Sequence, residues 1–366
     1  MACQTKSDKD SMYIIKAYVE RIKGIYSILE ECVHSYRMVK PRKALARQIR
    51  EFVALNLHWH TFPQQYFQHR MFAKGNKLSL NQMKSYVPPA TWWRISQRAH
   101  IPHNYSIICT DKSLFADLMD RYGLPHPGII LKYRGKRFYG ADGQPLTDSA
   151  ADALIQSQES GRLILKYSMG RLGRDIFAYD SDGGGNYKRG GEILSAKQIR
   201  QRCGKRPFIL QPGVEQCESL SRVYPDSVNS IRVLSRYRRG QAKIIAASIR
   251  FGRDGQVVDN MHKGGLSLNV DLETGRLGRV GTAFYDTLSY EAHPNSGVRF
   301  EDVTVEHWQE LKDLVEKACH AFHELEFAGW DVAMSVNGPV ILEINACPDL
   351  YLSQLTAGGL AAEVCS

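Results

Sequence analysis

No apolar run in this chain approaches the ~20 residues that a bilayer-spanning helix needs, and its 366 residues contain no Cys-x-x-Cys pair. The eight cysteines, at positions 3, 32, 109, 203, 217, 319, 347 and 365, are scattered. That spacing argues against a zinc or disulfide framework and fits reduced thiols in a cytoplasm. The first residues, Met1-Ala2-Cys3-Gln4-Thr5-Lys6-Ser7-Asp8, lack the apolar centre of a signal peptide, so a cytoplasmic location is expected. The glycines of its one flap-like loop are spaced neither as a Walker loop nor as a dinucleotide fingerprint. No recognisable nucleic-acid motif occurs, so no nucleic-acid partner is expected.

What is present is a chain of ordinary globular composition, long enough for two or three folded units. Its formal charge of +10 is unevenly placed. Residues 1–105 hold 17 Lys and Arg against 6 Asp and Glu, while residues 106–366 hold 31 against 32. The basic excess therefore sits in the first third. It implies a boundary near residue 105 and either an anionic partner or a solvated basic surface. From Met12 to Val33 apolar residues recur at helical spacing, and a second helical run from Pro41 to Leu57 carries Arg42, Lys43, Arg47 and Arg50. Residues 1–105 read as a helical domain. A basic amphipathic helix can lie on an anionic membrane face, but its apolar stripe is here expected to pack against the rest of the protein.

The stretch Gly329 to Pro348 reads as two short strands around an Asn-Gly turn. Centring the turn on Asn337 places Asp331 opposite Glu343, with Asn345 two residues on and on the same face. Two carboxylates and an amide oxygen converge with no basic residue between them, a cluster that repels itself unless a cation sits in it. An all-oxygen donor set suits Mg²⁺ better than zinc. The alternative is a surface hairpin with ordinary polar positions; the apolar Val332, Val340, Ile341, Leu342 and Ile344 argue instead for burial.

Upstream, a strand over Arg162–Tyr167 containing Lys166 enters a loop with Gly170 and Gly173 and leaves through a strand at Asp175–Tyr179. Strand, glycine loop and strand make a flap whose backbone N–H groups can approach phosphate oxygens. Lys166, at the end of an apolar strand, needs an anionic partner. Pro207 to Val214 reads as a strand leaving one subdomain for the next, a hinge against which a planar base can sit. Arg232 and Arg250 interrupt β-like runs and are natural phosphate clamps if they face a cleft, or exposed edge residues if they do not. The polar loop Asp259 to Gly265, containing Lys263, is placed to close over an anionic group.

In order and spacing these pieces resemble the ATP-grasp superfamily. The resemblance runs over about residues 106–350: Asp111-Lys112 before a helix ending at Gly123-Leu124-Pro125-His126-Pro127, Leu165-Lys166 before the flap, Gln211-Pro212-Gly213-Val214, Asn229-Ser230-Ile231-Arg232, and Asp331 with Glu343-Ile344-Asn345. The segments "DSVNSIRV", "IRFG" and "VDNMHKGG" look most like its sugar-transfer-associated branch. The resemblance implies an α+β ATP-grasp fold, two subdomains gripping ATP, here behind an N-terminal helical domain: residues 1–105, 106–210 and 211–366. It implies Lys112 and Lys166 at the phosphates, Gln211 and Val214 at adenine, Glu218 at the ribose, and Asp331, Glu343 and Asn345 on Mg²⁺. Arg232, Arg250 and Lys263 would stabilise an acyl-phosphate.

The activity expected on this resemblance is an ATP-dependent carboxylate–amine ligase, joining an amine to a sugar or other small carboxylate, with an anionic membrane or polysaccharide assembly as a further partner. A small-molecule kinase and a non-catalytic basic binding protein are the competing readings. Oligomeric state is left open.

Overall fold

The computed structural model describes residues 24, 26–99, 107–158, 161–170, 176–202, 206–261, 264–283 and 289–366. The chain divides into two compact units, residues 1–95 with 358–366 and residues 96–357. Among the described residues no helix is long and apolar enough to cross a membrane.

The first unit is helical. It contains α1 (residues 26–38), α2 (Leu45–Trp59), α3 (Gln64–Gln68) and α4 (Leu80–Lys84), and the first part of α5 (Pro89–Ala99). Its core gathers Leu55, Tyr66, Met71, Phe72 and Met83, with Tyr36, Phe52 and Phe67 packed against them. Two expectations fail here. Pro41 does not open the second helix: residues 41–44 are extended, Arg42 bridges to Ala73, and the Lys43 N–H donates to Phe72 O at 2.9 Å. Nor does the apolar stripe of α2 pack inward. The helix buries Gln48, Glu51 and Leu55 instead. Glu51 is held by Lys43 Nζ at 3.0 Å, Arg47 Nε at 2.9 Å and the Tyr66 hydroxyl at 3.0 Å, the pairing that a buried carboxylate requires.

The second unit begins with α6 (Ile107–Thr110) and α7 (Lys112–Tyr122). Asp111 caps α7 by accepting from the Ser113 and Leu114 N–H groups, and Gly123 ends it at φ 59°, a left-handed conformation that glycine adopts without a Cβ penalty. Next come β1 (Leu131–Arg134), β2 (Arg137–Tyr139), β3 (Pro145–Leu146), α8 (Asp148–Gln156), β4 (Arg162–Tyr167), β5 (Ile176–Ser181), β6 (Asn186–Arg189), β7 (Glu192–Ser195), α9 (Ala196–Arg202) and β8 (Phe208–Pro212). They form an eight-stranded antiparallel sheet, β3-β2-β1-β8-β4-β5-β6-β7.

After α10 (Glu218–Ser221) the chain builds a second sheet from β9 (Ile231–Arg238), β10 (Gln241–Phe251), β11 (Leu266–Asn269), β12 (Gly281–Ala283), β13 (Ser289–Tyr290), β14 (Phe327–Ser335) and β15 (Gly338–Asn345). Its order is β13-β12-β11-β10-β9-β14-β15. The amphipathic helix α11 (Trp308–Ala321) precedes the last hairpin, and α12 (Leu350–Ala357) and α13 (Ala361–Val364) end the chain. One face of this sheet, through Ile231, Val233, Ile249, Trp330, Val332 and Ile344, shares a core with Leu311, Val315 and Phe322 from α11 and its end. Strand alternation then sends Arg232, Ser248, Arg250, Asp331 and Glu343 to the opposite face.

Candidate active site

The hairpin β14–β15 does place Asp331 opposite Glu343, but not by the turn that the sequence suggests. Ser335 pairs with Gly338, so the loop is Val336-Asn337. A regular ladder from that loop would set Asp331 against Leu342. The register shifts between Asp331 and Val332: Val332 faces Ile341, Asp331 faces Glu343, and Leu342 is the extra residue. This bulge re-aims the carboxylate of Glu343 onto Asp331. Asn345 pairs with Gly329 and donates Nδ2 to its carbonyl at 3.4 Å.

The expectation that no basic residue stands among these acids is wrong. Arg232 on β9 is the cross-strand partner of Asp331 and grips it with both ends of its guanidinium, Nε on Oδ1 and Nη2 on Oδ2, the latter at 3.0 Å. Arg250 Nη2 lies 3.1 Å from the same Oδ2. Asp331 is 5% exposed at its side chain. Burial opposes its charge, but the two arginines outweigh burial and hold its carboxyl well below the usual range. Glu343 goes the other way: burial, then the Asp331 charge, raises its carboxyl, and the two acids are hydrogen-bonded to each other. The two carboxyls thus face each other across the hairpin, Asp331 favouring its charged form and Glu343 its neutral one. A divalent cation here would find oxygen donors in Asp331, whose two oxygens also face arginines, and in Glu343 and Asn345, an all-oxygen set that suits a hard cation such as Mg²⁺.

Lys112 from the start of α7 and Lys166 from β4 of the eight-stranded sheet reach the same place. Lys112, the first residue of α7, donates Nζ to Gly170 O at 2.7 Å, and its N–H donates to Ser168 O at 3.0 Å. It therefore pins the corner where β4 enters the flap. Lys166, paired across β4–β5 with Ile176, makes no ammonium hydrogen bond to a described residue. Burial first, with Lys112 adding to it against the pull of Glu343 and Asp331, lowers Lys166 to about 8. Lys112, Lys166 and Gln211 line one small pocket of about 10 Å³ with Phe115, Ile209 and the bulged Leu342. Gln211 donates Nε2 to Gly128 O at 2.9 Å.

Of the remaining expected site residues, Gly170 forms a turn at the flap's start, its N–H donating to Tyr167 O. Gly173 and Lys263 lie outside the described residues. Val214 and Glu218 do not line this pocket, and Glu218 is exposed on α10. Sequence reasoning missed Asp259. Its Oδ2 lies 3.6 Å from Arg250 Nε and accepts from the Ser230 N–H and hydroxyl. The signal was available: it is the acid at the head of the polar loop read for Lys263. His126, Phe115 and Leu342 were also missed; nothing local distinguishes them from core residues.

Gly329 has a role that only the folded chain reveals. A Cβ there would sit 2.6 Å from Pro348 Cβ and 3.5 Å from Arg232 Cδ, so glycine lets the loop after Asn345 close over β14. Gly329→Ala is expected to cost about 1–3 kcal/mol by overpacking, measured by urea unfolding; an unchanged midpoint would mean the loop yields freely.

A family model described as sugar-transfer associated ATP-grasp matches residues 96–364. No curated protein matches the chain. Similar solved structures include D-alanyl-alanine synthetase A from Vibrio cholerae, with 11% identity, a TM-score of 0.39, and coverage of 68% of this chain and 58% of that one. D-alanine–D-alanine ligase from Bacillus anthracis gives 13%, 0.36, 70% and 61%. Biotin carboxylase from Campylobacter jejuni gives 14%, 0.39, 68% and 43%. The chain spans about half the length of the solved structures it resembles.

Proposed function

The chain belongs to the sugar-transfer-associated ATP-grasp family, and from that premise we propose that it is an ATP- and Mg²⁺-dependent carboxylate–amine ligase acting on a sugar or other small carboxylate. One observation carries the reading. Lys112 from α7, Lys166 from β4, and Arg232 and Arg250 from β9 and β10 gather around Asp331, Glu343 and Asp259, four cationic side chains with three acidic ones. With a divalent metal bound and Glu343 ionised onto it the cluster would carry a surplus of three positive charges, which the tail of ATP, with about four negative charges, offsets.

In this reading Asp331, Glu343 and Asn345 would hold Mg²⁺, which supplies charge neutralisation at the transferring phosphoryl group. Lys112 and Lys166 meet phosphate oxygens, and Lys112 ties that contact to the flap through Gly170. Gln211, on the strand expected to border the base, lines the same small pocket as the two lysines. The substrate carboxylate attacks the γ-phosphorus, ADP leaves, and an acyl-phosphate forms. The amine then adds to the acyl carbon and phosphate departs, the surplus amine proton passing to solvent. Arg232 and Arg250 stand where charge develops on the acyl-phosphate oxygens. No nucleophilic side chain is required; holding the reactants in line does the remaining work.

Two measurements test this. ADP release should require a carboxylate and an amine together, and hydroxylamine in place of the amine should give a hydroxamate. A stable phosphoester would instead identify a kinase. Lys166→Ala should weaken ATP binding by roughly tenfold or more while leaving adenosine binding unchanged in calorimetry. Equal losses for the two ligands would remove Lys166 from the phosphates.

A further inference from the structure

We propose that the groove between α1 and α2 is a docking surface for an anionic phospholipid membrane. This goes beyond the ligase reading and does not rest on it.

The starting point is the inverted burial of α2. The helix turns Gln48 and Glu51 inward and leaves Leu45, Ile49, Val53 and Leu57 at 67%, 55%, 47% and 66% exposure. These four recur every fourth residue, so they form one continuous line along the helix. On α1, Leu29 and Val33 are about half exposed. Leu29 and Val33 from one helix and Leu45 and Ile49 from the other border the same groove, of about 430 Å³, floored by Phe52 and Phe67. Single exposed aliphatic residues need no explanation; a contiguous line of them beside an apolar groove marks a partner surface. The cost of burying Glu51 has been met by Lys43, Arg47 and Tyr66, so the outward apolar face is not forced by a failure to pack.

Charge decides the occupant. Arg37 lines the groove, and Arg37, Lys40, Arg47 and Arg50 are exposed. Residues 24–95 carry eleven Lys and Arg against three acids, Glu30, Glu31 and Glu51. Of those three, Glu51 is buried and paired, and Glu31 accepts from Gln64 and Gln68. A second copy of the chain would bring two basic rims together and be repelled. A nucleic acid would satisfy the cations and leave the aliphatic line in water. An anionic leaflet answers both: the line and groove enter the acyl boundary while the cations meet headgroup phosphates.

The test is co-sedimentation of the full chain with vesicles of phosphatidylcholine alone and with about one third phosphatidylglycerol. The expected result is pelleting with the anionic vesicles only, decreasing as salt is raised. The paired substitution Ile49→Asp and Val53→Asp, at exposed positions, should reduce binding about tenfold or more with unfolding temperature and ADP release unchanged. Arg37→Glu with Arg50→Glu should also reduce it. Failure to pellet with anionic vesicles would overturn the proposal, as would equal binding by the Asp pair. So would a sedimentation velocity dimer that the Asp pair dissolves, which would make a second copy the occupant. A fall in unfolding temperature for the Asp pair would mean that another part of the chain fills the groove.

Discussion

Glu343→Gln should lower ADP release by about a thousandfold, since a catalytic metal supplies several kcal/mol and each ~1.4 kcal/mol is tenfold in rate. The same variant should be no less stable than the parent when metal is chelated. Glutamine keeps the shape and the ability to donate to Asp331 while removing the second buried charge. The sign follows from the direction of the shift. Burial and Asp331 raise Glu343 in the folded protein above its unfolded value, so the folded state favours the protonated form. That advantage is complete at low pH and is lost as pH rises through the folded value. Glutamine does not ionise. The stability difference, measured by urea unfolding with chelator present, should therefore move in favour of Glu343→Gln as pH rises. Turnover equal to the parent would remove Glu343 from the metal. A difference that does not change with pH would mean that Glu343 ionises without cost, and a variant that becomes relatively weaker with rising pH would mean that the fold stabilises the ionised form.

Arg232→Ala should cost about 3 kcal/mol of folding free energy, at the lower end of what breaking a buried ion pair costs. The lower end applies because Arg250 remains 3.1 Å from Asp331 Oδ2. What is lost is the two-pronged grip across β9–β14. Asp331 then stays buried with half its compensation. The cost belongs to the orphaned carboxylate and not to the arginine itself, so Arg232→Ala with Asp331→Ala should lose clearly less than the two single losses added. Additive losses would show that the two side chains are energetically independent and that the register pairing is incidental. Activity should fall as well in Arg232→Ala, through the acyl-phosphate step, and the double variant should not restore it. Stability and activity therefore separate in one experiment.

Several features could be read from local pattern. Asp111 and Gly123 bracket α7 as a cap and a left-handed stop, because both act within a few residues of themselves. β4 and β5 flank the flap loop and set Lys166 at its mouth. Asp331 and Glu343 do meet, but through a loop at Val336-Asn337, one residue before the Asn-Gly pair, and a bulge at Leu342. A bulge leaves no local signature in a run as apolar as Val340-Ile341-Leu342.

Other features were beyond any window of sequence. Arg232 and Asp331 are 99 residues apart, and Arg250 and Asp259 reach the same cluster from other parts of the chain. The period of a strand fixes which residues share its face, but not which strand lies beside it. Neighbours are chosen when the whole sheet closes on α11, and β9 comes to lie between β10 and β14. The outward aliphatic line of α2 is of the same kind. Its spacing marks an amphipathic helix, while the inward turn of Glu51 depends on Lys43 and Tyr66 being folded against it. The sequence by itself determined the caps, the alternation and the order of the functional side chains, because these depend on near neighbours. The tertiary structure alone decided which charges face each other and which apolar face was left open, because those depend on partners that only the completed packing brings together.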